Sequence, residues 1–200
     1  QRKAVGGYYA SVSYMDAQVG KVLVALKEAG LKERTIVIFT SDHGYHLGEH
    51  DFWAKVSLHD ESARVPLIIA VPGKQPAVCH SLTELLDLYP SISKLCGMPV
   101  QARLQGKDIS GMLDDPSVEV REAAFSVNGR GFLLRSHRWA YIQYGRDGSR
   151  GAELFDMESD PHQYTNLVDS EDHAEVVAGF RRAMDTKMKV VLTNDLGLEY

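Results

Sequence analysis

Thr35-Ile-Val-Ile-Phe-Thr-Ser-Asp-His-Gly-Tyr-His-Leu-Gly-Glu-His-Asp-Phe-Trp-Ala-Lys55 is the stretch on which the reading of the whole chain turns. It opens as an apolar, β-branched run, Thr35 to Thr40, which predicts a buried strand. Both faces of that run are apolar, as in a central parallel strand covered by helices. The run then breaks into carboxylate, imidazole and glycine. Sites in open α/β sheets lie beyond the carboxyl ends of the strands, and Asp42 and His43 stand at that end. Asp42 is a natural ligand for a hard divalent cation. His43 has three open roles: second ligand, proton carrier, or hydrogen-bond donor to an anion. Gly44 and Gly48 allow tight turns or close approach. Lys55 offers a point positive charge to an oxyanion. A cation, a lysine and a histidine together suit the cleavage of a charged ester. The plain alternative is a polar surface loop, because Asp-His-Gly alone is a weak signal.

Four blocks in order sharpen the choice: Ser41-Asp42-His43-Gly44, Leu47-Gly48-Glu49-His50, Trp53-Ala54-Lys55 and Arg64-Val65-Pro66-Leu67-Ile68-Ile69. Downstream come Leu85-Leu86-Asp87-Leu88-Tyr89-Pro90, Glu153-Leu154-Phe155-Asp156, Asp160-Pro161 and Asn166-Leu167. Together they resemble the C-terminal half of the sulfatase catalytic domain, within the alkaline-phosphatase-like superfamily. The subgroup most resembled is that of iduronate-2-sulfatase.

The resemblance implies an α/β fold. Residues 1–120 would be the C-terminal part of a mixed sheet with packed helices, and residues 121–200 a smaller antiparallel sheet with a helix. It implies one calcium ion, held by Asp42 and His43 and completed by residues upstream of this chain, and a sulfate contact from Lys55. Many sulfatases carry Asn where this chain has His43; the iduronate-2-sulfatase group carries His. Imidazole is an unusual ligand for calcium, so contact with the sulfate is a second role for His43. Tyr45 and His46, placed just after the metal pair, are expected nearest the organic part of a substrate. Glu49 and His50 match the motif and are expected to brace the loop.

The family nucleophile is a formylglycine, made from the first residue of Cys/Ser-x-Pro-x-Arg. Neither Cys79 nor Cys96 begins such a run, nor does any serine. The family's paired N-terminal aspartates are missing as well. The expectation is therefore a downstream portion of a longer enzyme, inactive alone, with the nucleophile supplied from upstream.

Composition removes other classes. The 200 residues carry a net charge of −5 with signs mixed, which argues against a nucleic-acid partner. No apolar run reaches the roughly 18 residues that would suggest a transmembrane helix. Two cysteines make no disulfide framework; a Cys79–Cys96 bridge and two unpaired buried thiols both remain open. By the resemblance, a periplasmic, secreted or lysosome-like compartment is expected. An apolar face left open on a partial sheet predicts self-association.

Elsewhere, Val12, Met15, Val19, Val22, Leu23 and Leu26 recur at helical steps and predict a helix over 8–29, ended by Gly30. Val65 to Val71 reads as a second buried strand, and Pro72-Gly73 as a turn. Ser81 and Glu84 form a capping-box pattern, and a short helix is expected from Pro90 to Cys96. His59, Asp60 and His80 read as surface polar groups. Residues 99–120 read as a connection with one helical turn, its aspartates solvated. Ala123–Val127, Phe132–Arg135, Trp139–Tyr144 and Glu153–Asp156, split by turn residues, predict an antiparallel meander. A helix over Glu171–Lys187 would cover it. Arg130, Arg135, Arg138 and His137 face either an acidic sugar or solvent.

Three functional classes fit: a sulfatase acting on a sulfated small molecule or sugar, a phosphonate monoester or phosphodiester hydrolase of the same superfamily, and a non-catalytic module that binds a sulfated ligand.

Overall fold

The structure, a computed structural model, describes residues 1–129 and 131–193. Two compact units emerge. One comprises Gln1–Val56 and Glu61–Val78; the other comprises Ser57–Asp60 and the described residues of Cys79–Tyr200.

In the first unit, helix α1 spans Arg2–Glu28, six residues longer at its start than the periodicity predicts. None of its residues is buried. Val19 and Leu26 are half-covered, while Val12, Met15, Val22 and Leu23 of the predicted face are exposed. Gly30 follows with φ +67, the left-handed geometry that ends a helix without a Cβ clash. Strand β1, Val37–Thr40, pairs antiparallel with β4, Leu67–Ala70, in the register Val37↔Ala70 to Thr40↔Leu67. This corrects the expectation that β1 pairs as a central parallel strand. A parallel neighbour needs a crossover, usually a helix. Between β1 and β4 the chain has one four-residue α-helix, α2 (Asp60–Ala63), and a 3-10 turn, Glu49–Asp51, and it doubles straight back. Within that excursion β2, His46–Leu47, pairs antiparallel with β3, Trp53–Ala54.

The second unit is built on the predicted meander. Strands β5 (Ala124–Asn128), β6 (Gly131–Arg135), β7 (Trp139–Tyr144) and β8 (Ala152–Asp156) lie in sequential antiparallel order. Helix α4, Ala174–Val191, lies against the sheet. Its Val177, Met184 and Met188 close over Leu134, Tyr141 and Leu154, all buried. Alternation on the strands and a 3.6-residue stripe on the helix feed one core, so these elements were readable locally.

Helix α3, Leu88–Leu95, carries Pro90 in its first turn, where the missing N–H costs least. The 3-10 turn before it, Leu85–Asp87, is capped from Glu84 and not Ser81: the Asp87 carboxylate accepts the Glu84 N–H at 2.7 Å, while Ser81 donates to the Val118 carbonyl. Asp87 is wholly buried. It accepts the Lys107 N–H at 2.8 Å and receives both Nη1 and Nη2 of Arg121. Arg121 also reaches Glu84 at 3.4 Å, and Glu84 accepts the Phe125 N–H at 2.9 Å. These bonds tie residues 84–107 to the start of the meander, which is why 79–120 pack with the C-terminal sheet. Cys79 and Cys96 are both free and exposed; neither the bridge nor burial occurs.

Replacing Arg121 by Leu strands a buried carboxylate, and a loss of about 3–5 kcal/mol is expected in urea unfolding. Burial first, then the Glu153 carboxylate, pushes the Tyr144 hydroxyl up to about 12. A folded value above the unfolded one contributes stability that is complete below about pH 10 and lost as pH rises toward 12. Wild type should therefore lose on the order of 2 kcal/mol more than Tyr144→Phe over that range, read by chemical denaturation at each pH.

Candidate active site

β1 delivers the chain to Ser41, whose hydroxyl donates to the His43 carbonyl at 2.7 Å and turns the backbone sharply. The Asp42 side chain is 84% exposed. Its Oδ1 accepts the His43 N–H at 3.1 Å. The His43 Nδ1 lies 2.8 Å from the Gly44 carbonyl. A carbonyl only accepts, so Nδ1 carries the proton and Nε2 is the free position. That Nε2 stands 3.6 Å from Asp42 Oδ2. A carboxylate oxygen and an imidazole nitrogen thus converge on one solvent-facing point. Hydrogen bonding from its own backbone N–H holds Asp42 below the usual carboxylate range, with help from His43 and from the charge of Lys55 against partial desolvation.

Gly44 ties this turn to the segment after Lys55. Its N–H donates to the Ser62 carbonyl at 2.9 Å. A Cβ at this position would lie 2.0 Å from the Glu61 carbonyl oxygen. The close approach that the glycine permits is thus to protein backbone. Ser62, itself buried, donates through Oγ to the Lys55 carbonyl at 2.8 Å. The lysine is anchored by its main chain and its side chain is exposed.

The hairpin between these points is strained. His50, Asp51 and Ala54 have φ of +57, +53 and +119. Gly48, at φ +122, lets the Trp53 ring pack over it. The Glu49 carboxylate accepts the Leu47 N–H. Its own backbone N–H is the chief cause holding it low, with Leu47, His46 and His50 adding to it against burial. His50 Nε2 lies 3.6 Å from Glu61 Oε2. Glu49 and His50 therefore engage the loop around them. Strained backbone of this kind gathers at functional sites.

Two expectations need correction. His46 is 0% exposed, set edge-on to the rings of His50 and Phe52 at 5.8 and 5.2 Å; burial takes it out of a substrate's reach. His59 and Asp60 are not solvated. His59 Nε2 lies 3.3 Å from Glu153, and Asp60 pairs with Arg135. Tyr45 remains accessible, and its ring stacks on that of Tyr8 at 5.3 Å. In sequence, Tyr8, Tyr9 and Tyr14 offer either a site wall or packing, and Tyr8 packs here on Tyr45; sequence reasoning missed the roles of Ser62 and Arg135, whose partners no local pattern announces.

The arginines of the meander have protein partners. Arg138 binds Asp156 at 2.8 Å and stacks over Trp139, and His137 faces Glu119 at 3.3 Å. Arg130 lies outside the described residues. His80 is exposed. Asp108 and Asp115 accept N–H groups two residues on. Among the described residues no three His, Cys, Asp or Glu side chains gather as a metal-holding group.

Gly44→Ala should displace the loop and cost about 1–3 kcal/mol, because the clash is with main chain that cannot rotate away. Thermal melting and the loss of any bound divalent cation are the readouts.

Residues 1–98 match the family model described as Sulfatase. Arylsulfatase K of Bos taurus is 35% identical over 175 residues, covering 80% of this chain and 32% of its own length. The chain thus spans about a third of the curated relatives it matches. A solved structure described as BT1596, a 2-O GAG sulfatase, superposes with a TM-score of 0.80 at 28% identity, covering 92% of this chain and 42% of the other. The phosphonate monoester hydrolase SpPMH from Silicibacter pomeroyi gives 0.80 at 25% identity, covering 92% of this chain and 40% of the other. No described helix is long and apolar enough to cross a membrane. From the matched sequence, the shared alkaline-phosphatase-like fold and the Asp42–Lys55 loop, the chain belongs to the sulfatase family.

Proposed function

We propose that these residues form part of the active centre of a sulfate ester hydrolase. One observation carries the reading: in a sulfatase-family chain, Asp42 Oδ2 and His43 Nε2 stand 3.6 Å apart on a solvent-facing turn, in the same loop as the exposed Lys55.

Asp42 Oδ2 and His43 Nε2, 3.6 Å apart, fit two adjacent ligands of one cation. The Gly44 carbonyl fixes the tautomer that leaves Nε2 available. Two donors are fewer than the six to eight that calcium takes, so other residues would complete the shell. A cation there supplies positive charge to the sulfate oxygens. Lys55 adds its own charge on the same anion, its main chain held so that the side chain alone must adapt. Tyr45, stacked on Tyr8, offers an aromatic wall to the organic part of the ester. We infer a sugar sulfate as the substrate class, in line with the iduronate-2-sulfatase-like motif and with the description of one structural neighbour as a 2-O GAG sulfatase. No Cys/Ser-x-Pro-x-Arg run occurs in the 200 residues, so the formylglycine nucleophile would come from outside them, and these residues alone would release no sulfate. A periplasmic, secreted or lysosomal setting goes with this reading.

A phosphonate monoester hydrolase is the second reading, favoured by the likeness to SpPMH. Phosphonate and sulfate present similar tetrahedral oxyanions to a lysine. Paired kinetics on an aryl sulfate and an aryl phosphonate with the intact protein separate the two by the larger kcat/KM. In that assay Lys55→Ala should lower kcat/KM for the preferred ester about 10²- to 10³-fold. Full retention of kcat/KM would remove Lys55 from the site.

A further inference from the structure

Lys55 has a long, flexible side chain, so the position of its ammonium depends on how firmly its main chain is held. The hold on its carbonyl comes from Ser62, and Ser62 sits on α2, a helix of only four residues. So short a helix has no stability of its own. Something outside it must keep it formed.

The first residue of α2 shows what does. The Asp60 N–H donates to Gln163 Oε1 at 2.7 Å. The Asp60 carboxylate accepts Nε of Arg135 on Oδ1 at 3.1 Å and Nη2 on Oδ2 at 3.2 Å, a bidentate fork. The remaining guanidinium nitrogen, Nη1, donates to the carbonyls of Ser136 and His137. The Arg135 guanidinium is therefore held on two sides, by the carbonyls just after β6 and by Asp60. The residues just before α2 are pinned as well. Leu58 is buried, and a Cβ on Gly131 would lie 2.8 Å from its methyl. His59 faces Glu153 at 3.3 Å, and the Tyr144 hydroxyl reaches the other oxygen of that carboxylate. Gln163 is 2% exposed and holds φ +57, a left-handed backbone unusual for its type, while it serves Asp60.

We propose that Arg135, eighty positions downstream, is a positioning residue for Lys55: by clamping Asp60 it keeps α2 wound and Ser62 in place under the lysine carbonyl. This rests on the reading of Lys55 as the oxyanion contact. Arg135 touches no substrate in this account.

The test uses the intact protein, with steady-state hydrolysis of an aryl sulfate and amide hydrogen exchange over residues 55–63. Arg135→Gln should lower kcat by about 10- to 100-fold, the order expected from a misplaced group, and change KM far less. Exchange over 55–63 should quicken. Arg135→Lys, which keeps the charge and loses the fork, should fall between. Asp60→Asn, nearly isosteric, should reproduce the loss and serves if Arg135→Gln does not fold. In a Lys55→Ala background, Arg135→Gln should cost nothing further, because the two act as one unit.

Unchanged kcat and exchange in Arg135→Gln or Asp60→Asn would overturn the proposal. So would an equal fold-loss with and without Lys55, which would place the effect elsewhere. If Lys55→Ala kept full activity, the reading of Lys55 would fail by itself. The exchange result would still report whether Arg135 orders residues 55–63.

Discussion

A single backbone hydrogen bond, Gly44 N–H to the Ser62 carbonyl, is the constraint on which the candidate site depends. It ties the turn after β1 to the segment that follows Lys55. Only hydrogen fits on the inner side of residue 44, because the Glu61 carbonyl occupies the space a Cβ would need. From that contact outward, Ser62 reaches the Lys55 carbonyl.

The local chain has little intrinsic stability to offer. The β2–β3 hairpin has two residues per strand, and three non-glycine residues near its tip and exit have positive φ. Conformations of that sort cost on the order of 1–3 kcal/mol each and persist only where surroundings over-determine them. The surroundings here are the buried His46 between His50 and Phe52, the Trp53 ring over Gly48, and the Glu49 carboxylate on the Leu47 N–H. Much of the family motif is thus a brace, as the sequence led one to expect of Glu49 and His50 and not of His46. Of its polar residues, Asp42, His43 and Lys55 face outward, while His46, Glu49 and His50 hold the loop.

The second unit solves a different problem. Its meander and α4 bury an apolar core in the ordinary way. Beside that core, Asp87 is charged and completely enclosed. It is tolerable because it accepts from two backbone N–H groups and from a bidentate arginine. A buried carboxylate satisfied to that degree specifies one arrangement of α3, the 99–120 connection and the first meander strand. Few others would meet every bond.

What the sequence by itself determined is what short-range periodicity and short motifs encode. The four meander strands emerged within a residue or two of their predicted ends, because alternation and turn glycines are local. The end of α1 at Gly30 and the place of Pro90 in α3 emerged for the same reason. Asp42, His43 and Lys55 were legible as a group because one unbroken stretch carries them in a motif shared with the sulfatase family. What only the tertiary structure decided involves partners far apart along the chain. The antiparallel pairing of β1 with β4 depends on how a 26-residue excursion returns, which no window of β1 contains. His46 and Tyr45 are adjacent and both aromatic, yet one is enclosed and the other exposed, and the side each faces is set by residues that pack around the hairpin. Asp60 and Arg135 read as solvated charges until folding brings them within 3.1 Å across 75 positions. Side-chain chemistry can be read from a list of residues. The pairing of one charge with another at long range is settled only when the chain closes on itself and water is removed from between them.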